Sequence, residues 1–318
     1  MRRAIISLIV VLFVLPVAAS ASSPLETLVT FNPAAGEFPE GVAIDKTGNI
    51  YMSVTPLGQI RAFAPDGSRS LLATLPATGV FGPTGLAVDS PGNVYAADVT
   101  FDPATRGVYR IARDGASVRL PGTGGIQFAN GLAFDQRGNL YVTDSISGAV
   151  WRIPRGGTAE VWAHDPLLAG NGSFGFGFPI GANGIAFQHG ELVIANTELS
   201  RLVRVPVLPD GSAGAADVLV QAPALFGADG VALDVKGNLY VAVSGQSTLV
   251  RVAPDGASIT TLASAADGLD GDSSLAFGTG KGDREALFLA NFALFGPPAT
   301  AHPALLKFQA GVPGMPLP

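Results

Sequence analysis

The chain has 318 residues, no cysteine and a formal net charge of −6. That length supports a sizeable core, which must hold without disulfides. The acidic balance speaks against nucleic acid, whose binding rests on neutralising phosphates with Lys and Arg, and against an anionic membrane surface.

The first segment is Met1-Arg2-Arg3 followed by an apolar run from Ala4 to Ala19 and the small residues Ala19-Ser20-Ala21. A charged start, a short apolar stretch and a small-residue end read as a secretory signal peptide over residues 1–21, cleaved after Ala21. The run is shorter than the ~20 residues a spanning helix needs. The expected location is therefore secreted or periplasmic, with no membrane contact beyond the signal peptide. Losing Arg2 and Arg3, with no acid, takes the formal charge to two units below −6. Residues 22–310 read as one domain, and residues 311–318 as a disordered tail.

Along that domain one motif is written six times. Its first copies are Glu40-Gly-Val-Ala-Ile-Asp45 leading to Gly48-Asn49-Ile50-Tyr51, and Thr84-Gly-Leu-Ala-Val-Asp89 leading to Gly92-Asn93-Val94-Tyr95. The others start at Asn130, Asn183, Asp229 and Ser273. The spacings are 44, 46, 53, 46 and 44 residues, a propeller-blade period. In each unit a short apolar run suits a strand buried on both faces. Its alanine leaves room near a crowded axis. Asp-x-x-Gly-Asn makes a turn, and Ile/Leu/Val-Tyr begins a second strand. A third strand follows (Val108–Ile111, Val150–Ile153, Leu202–Val205 and Leu249–Val252), then Asp-Gly turns and a fourth strand such as Ser70–Leu75 or Ser258–Leu262. Such a unit cannot bury both faces alone, so neighbours must stack. The predicted fold is all-β: a six-bladed β-propeller with four-stranded antiparallel blades around a central channel. The last unit lacks a fourth strand after Leu305–Gln309, and Leu25–Phe31 is a strand without a partner. The second is expected to complete the first and latch the ring. A parallel α/β arrangement fails because Gly and Pro interrupt every stretch long enough for a helix.

The six units agree on scaffold and differ at their opening residue: Glu40, Thr84, Asn130, Asn183, Asp229 and Ser273. The first strand of a blade lines the channel, so these six residues should ring one of its mouths. All carry a side-chain oxygen. Two carboxylates and two amides (Glu40, Asn130, Asn183, Asp229) suit a hard divalent cation. A soft metal is disfavoured, because there is no cysteine and His164, His189 and His302 lie off this position. Each Asn-Gly or Asp-Gly alone is an ordinary turn pair. Four strong oxygen donors at one equivalent position of a six-fold repeat would repel and be costly to desolvate without a cation.

At these residues the chain resembles the senescence marker protein / gluconolactonase / luciferin-regenerating enzyme superfamily of six-bladed propellers, over nearly all of its length after residue 21. The resemblance implies that Glu40, Asn130, Asn183 and Asp229 are divalent-metal ligands. It implies Ca²⁺ foremost, with Zn²⁺, Mg²⁺ or Mn²⁺ as other ions. It implies a proton-transfer, catalytic role for Asp229 and a lactone or ester as small-molecule substrate. The chain departs from that pattern in two ways. There is no histidine pair. Where gluconolactonases present an arginine for a sugar acid, Gly125-Ile126-Gln127-Phe128 stands instead, which favours a more apolar lactone or ester.

Between Trp162 and Asn183 the fourth unit carries extra residues in which Phe174, Phe176 and Phe178 alternate with glycines. These are expected to form a mobile aromatic lid over the pocket, or alternatively a packed surface loop, joined by Phe292 in Asn291-Phe-Ala-Leu-Phe295, with Thr84 and Ser273 facing the same pocket. Asp98, Asp144, Asn196 and Asn291 end second strands, where they support the site or simply satisfy strand ends. The functional expectation is an exported metal-dependent hydrolase. The alternative is a non-catalytic propeller that binds a small ligand or a protein partner around a structural ion, which the lack of an evident acid–base histidine favours. A quinone-dependent sugar dehydrogenase fits less well, since Arg, Lys and His are scarce.

Overall fold

The computed structural model describes residues 23–316; the expected signal peptide lies outside them. Among the described residues there is no α-helix, only short 3-10 turns, and no helix long and apolar enough to cross a membrane. The strands form six separate four-stranded antiparallel sheets. This is the six-bladed propeller read from the repeat. The first blade is Pro39–Ile44, Ile50–Val54, Gln59–Phe63 and Arg69–Thr74, each strand paired with the next. The innermost strands of the other five are Pro83–Val88, Ala129–Phe134, Ala182–Gln188, Ala228–Leu233 and Asp272–Phe277. Apolar clusters fill the spaces between adjacent blades, as with Val193, Leu202, Val231 and Val241 between the fourth and fifth.

The turn after the innermost strand of the first, second, third and fifth blades explains the Asp-x-x-Gly-Asn-x-Tyr motif. Asp45 accepts from the backbone N–H of Thr47 and Asn49, from the Asn49 side-chain amide at 2.8 Å and from the Tyr51 hydroxyl at 3.1 Å. Asp234 repeats this with Lys236, Asn238 and Tyr240. One buried carboxylate thus closes the hairpin and ties the tyrosine of the second strand to it. Gly48 holds φ of 86° there, a region costly for residues with a Cβ. The tyrosine feels the same contact. Burial, and then the Asp45 charge, push the Tyr51 phenol up to about 12.

The ring closes as the orphan strand predicted. Leu25–Thr30 pairs antiparallel with Ala304–Gln309, completing the sheet of the sixth blade, and the Phe31 N–H reaches the Pro303 carbonyl at 2.9 Å. Val29 and Phe31 are buried against the first blade. The C-terminal residues depart from the expected disorder. Val235 N–H donates to Pro313 O, Gly314 N–H to Arg284 O and Met315 N–H to Leu233 O, each at 2.9 Å. Met315 and Pro316 lie at the channel mouth opposite the ring of opening residues, beside Ala43, Ala87, Ala133, Ala186, Ala232 and Ala276. The segment crosses the mouth on these backbone hydrogen bonds, without regular strand pairing.

Deleting residues 22–31 removes two buried side chains worth ~1.5–3 kcal/mol each and one strand of the closing sheet. The expected result is a melting temperature lower by roughly 10 °C, read by thermal unfolding. An unchanged value would contradict the latch.

Candidate functional site

The six opening residues sit at a shared irregularity. In each blade the pairing of the first strand with the second slips at this point, between Pro39 and Val42 in the first blade and between Ala228 and Val231 in the fifth. Such a bulge re-aims a side chain, and here it brings Glu40, Thr84, Asn130, Asn183, Asp229 and Ser273 to the axis. The glycine that follows has a separate cause. A Cβ on Gly41 would lie 2.3 Å from Thr84 O, on Gly85 2.3 Å from Asn130 O, and on Gly184 2.1 Å from Asp229 O. Only a residue without a side chain lets each bulge nest against the backbone of the next blade. The sixth unit has Ser274 instead, and its hydroxyl accepts the Val42 N–H.

Hydroxyl groups stitch these junctions. Ser53 donates to Thr84 O at 2.7 Å, Thr143 to Asn183 O at 2.6 Å and Thr197 to Ala228 O at 2.8 Å. Two ring members do the same work: Thr84 Oγ1 donates to Ala129 O at 3.0 Å and Ser273 Oγ to Glu40 O at 2.7 Å. The hydroxyls of Thr84 and Ser273 are therefore engaged with backbone, unlike the other four oxygen sets. The Asn130 amide nitrogen donates to Ser145 Oγ, and that of Asn183 to Thr197 Oγ1 at 3.0 Å. Asn183 Oδ1 and Glu40 Oε2 are buried with no hydrogen-bond partner.

The electrostatics are those of acids crowded together. Burial, and then the charge of Asp229, hold the Glu40 carboxyl well above the ordinary range. Asp229 is also held well above it, first by burial; hydrogen bonds from Ser244 and Asn183 and the charge of Asp272 act as smaller, mixed influences. Asp272, adjacent to Ser273, is pushed up to about 8 by burial. Glu40, Thr84, Asn130, Asn183 and Ser273 are buried, whereas Asp229 keeps partial exposure. Among the described residues no three His, Cys, Asp or Glu side chains group as a metal site. The ring offers two carboxylates and two amide oxygens, a donor set that fits a hard cation. Its unpartnered, buried acceptors Glu40 Oε2 and Asn183 Oδ1 are of the kind a cation satisfies.

Above the ring lies a mostly apolar cavity of ≈ 80 Å³ with Glu40, Thr84, Asn130, Asn183 and Asp229 on its polar side. Its walls include Phe174, Phe176 and Phe292, together with Phe81, Phe128, Ile180, Leu294 and Phe295. Phe178 stands beside the cavity, with ring centroids 5.8 Å from Phe128 and 6.0 Å from Phe176. Ser273 instead lines the narrower channel below. Phe81, Phe128 and Phe295 come from loops of three other blades, and no repeat position marks them; only the apolar Gly125–Phe128 and Asn291–Phe295 stretches hinted at them. No Arg, Lys or His is among the described residues lining this cavity.

The second-strand ends turn out to brace the segments leading into the ring. Asp144 accepts the N–H groups of Gln127 and Phe128 at 3.0 Å. Asn196 donates to Leu167 O and Ala169 O, and Asn291 accepts the Asp270 N–H at 2.7 Å. Asp98 has no such segment to hold: both its oxygens are buried without a partner, and burial pushes it up to about 8.

The fold and the polar ring define a six-bladed propeller with an oxygen-lined axial site beneath an aromatic pocket. A family model for the SMP-30/gluconolactonase/LRE-like region matches residues 179–290, the span that holds Asn183, Asp229 and Ser273, and it agrees with the resemblance read from the repeat over that span. No curated protein matches the chain. Solved structures share its fold. A luciferin-regenerating enzyme is 15% identical with a TM-score of 0.68, covering 92% of this chain and 97% of its own. A calcium-binding regucalcin from Agrobacterium tumefaciens is 17% identical with a TM-score of 0.67, covering 89% and 93%. A gluconolactonase from Xanthomonas campestris is 18% identical with a TM-score of 0.63, covering 92% and 89%.

Asp98 gives a pH test outside the ring. An unfolded aspartate ionises near ~4, whereas the folded group stays protonated to about 8. Its contribution to stability is full below pH ~4 and is lost as pH rises through that window. Asp98→Asn should therefore gain melting temperature over the wild type, and the gain should grow by several degrees from pH 4 to pH 8. A constant difference would refute this.

Proposed function

We propose that this protein is a divalent-metal-dependent hydrolase, with Ca²⁺ as its ion, acting on an apolar lactone or ester. The observation that carries the reading is the pairing of buried, unpartnered acceptors in the ring with an apolar cavity directly above them. The gluconolactonase and the calcium-binding regucalcin of the same fold agree with it.

Glu40, Asn130, Asn183 and Asp229 would hold the ion. When bound, it supplies Lewis acidity toward the ester carbonyl and a lowered pKa for water. The other roles fall to the chain. Asn130 and Asn183 are oriented by Ser145 and Thr197. Asp229 is the acid of the ring that keeps partial exposure, and it lines the cavity. Its ionised form would be favoured by the bound cation against the burial that raises its pKa, and that carboxylate would accept a proton from the attacking water and return it to the leaving oxygen. Phe81, Phe128, Phe292 and Phe295 bind the apolar part of the substrate and keep bulk water from the ring. The lack of Arg, Lys and His on the cavity wall argues against a charged sugar acid. Export to the periplasm or the medium rests on the sequence of residues 1–21 alone.

A non-catalytic propeller that binds an apolar ligand is the second reading, favoured by the absence of an acid–base histidine from the described cavity lining. A panel of lactones and aryl esters, assayed with and without chelator, separates the two. The hydrolase should lose activity with chelator and recover it with Ca²⁺, and Asp229→Asn should lower kcat by roughly 10²–10⁴-fold. Activity that survives both treatments would discard the mechanism.

A further inference from the structure

Besides Asp144, a second buried carboxylate outside the ring has only backbone hydrogen-bond partners, and these lie on the aromatic loop. Glu198 sits in the turn between the strands Glu191–Asn196 and Arg201–Pro206 and is 4% exposed. Its Oε2 accepts the N–H groups of Asn171 and Gly172, the latter at 2.6 Å, and its Oε1 accepts the Phe174 N–H at 3.1 Å. The intervening Ser173 N–H is taken by Asn171 Oδ1 at 3.0 Å. Every backbone donor from Asn171 to Phe174 is thus engaged, three of them by one carboxylate. The glycines of this loop follow from that arrangement. A Cβ on Gly170 would lie 2.6 Å from Glu198 Oε2, and Gly172 holds φ of 83°.

The anchored segment delivers Phe174 to the cavity. Its ring rests where Cβ atoms on Gly245 and Gly227 would stand 3.0 and 3.3 Å from it, and it lies 5.9 Å from Phe226 and 6.0 Å from Phe295. Phe176 follows at 5.6 Å from Phe174, and Phe178 stacks on Phe176. Charge-assisted hydrogen bonds to three N–H groups are strong for their size, and no ion pair with Glu198 is found among the described residues to compete for the carboxylate.

We propose that Glu198 is a positioning residue that fixes the aromatic loop over the ring and so sets the site's preference for apolar ligands. The role in catalysis rests on the hydrolase reading above; the role in holding the loop does not. The direct test is Glu198→Gln, which keeps the size but places an NH₂ against N–H donors. Hydrogen exchange at the amides of Asn171, Gly172 and Phe174 should accelerate by roughly tenfold or more, while amides of the blade strands remain as in the wild type. Binding of 1-anilinonaphthalene-8-sulfonate should weaken. KM for 2-naphthyl acetate should rise by roughly tenfold, with kcat on γ-butyrolactone changed less than about twofold. Unchanged exchange at the three amides, or faster exchange with dye binding unaltered, would overturn the proposal. If the wild type hydrolyses neither compound, the hydrolase reading fails, and exchange and dye binding still decide the role of Glu198.

Discussion

Six strands cannot meet at one axis unless their backbones come closer than side chains normally permit. In this propeller the approach is made at a bulge, where a glycine in each of the first five units packs against a carbonyl of the following blade. The residue before it is thrown toward the axis as a consequence. The same constraint that closes the ring therefore concentrates Glu40, Asn130, Asn183 and Asp229 in one place. Structure and site are not separate layers here: a Cβ at Gly184 would reach the carbonyl of Asp229, itself a ring residue.

That convergence has an electrostatic cost. Burial disfavours the ionisation of both Glu40 and Asp229, the charge of Asp229 adds to the effect on Glu40, and the charge of Asp272 adds to that on Asp229. Removing charges from water is expensive unless partners compensate. The hairpin aspartates show how this chain satisfies a buried carboxylate when structure is the only purpose: Asp45 receives backbone, amide and phenol donors together. Glu40 Oε2 receives none. Glu40 thus contrasts with the hairpin aspartates, as do Asp98 outside the ring and Asp272 beside it, whose oxygens are also buried without partners. Under the proposed function a cation would supply the missing compensation, and the aromatic cavity above would supply the dry surroundings in which its field acts on a substrate.

The repeat made much of this legible. Blade number, hairpin turns, the ring position and the closing strand at Leu25–Thr30 all follow from a local motif recurring at a fixed period. What stayed hidden depends on contacts between units that share no motif. The hydroxyls of Thr84 and Ser273 look equivalent to the other ring oxygens in sequence, yet both are taken up by the neighbouring blade's backbone. Phe81, Phe128 and Phe295 converge from loops of different blades. Asp98 and Asn291 occupy corresponding positions, but only the second finds an entering segment to brace. Residues 311–316 carry Gly and Pro, which locally signal disorder; their docking depends on the Leu233, Val235 and Arg284 backbone far away in sequence.

The most direct measurement is a thermal unfolding titration of chelator-treated protein with Ca²⁺, run in parallel on wild type and Glu40→Gln. A ligand that binds only the folded ring stabilises it by RT ln(1 + [L]/Kd), about 2.7 kcal/mol at a hundredfold excess over Kd. The wild-type melting temperature should climb by several degrees with added Ca²⁺, and the variant should respond weakly or not at all. A wild-type midpoint indifferent to Ca²⁺ and to the other divalent ions would contradict a cation at the propeller axis.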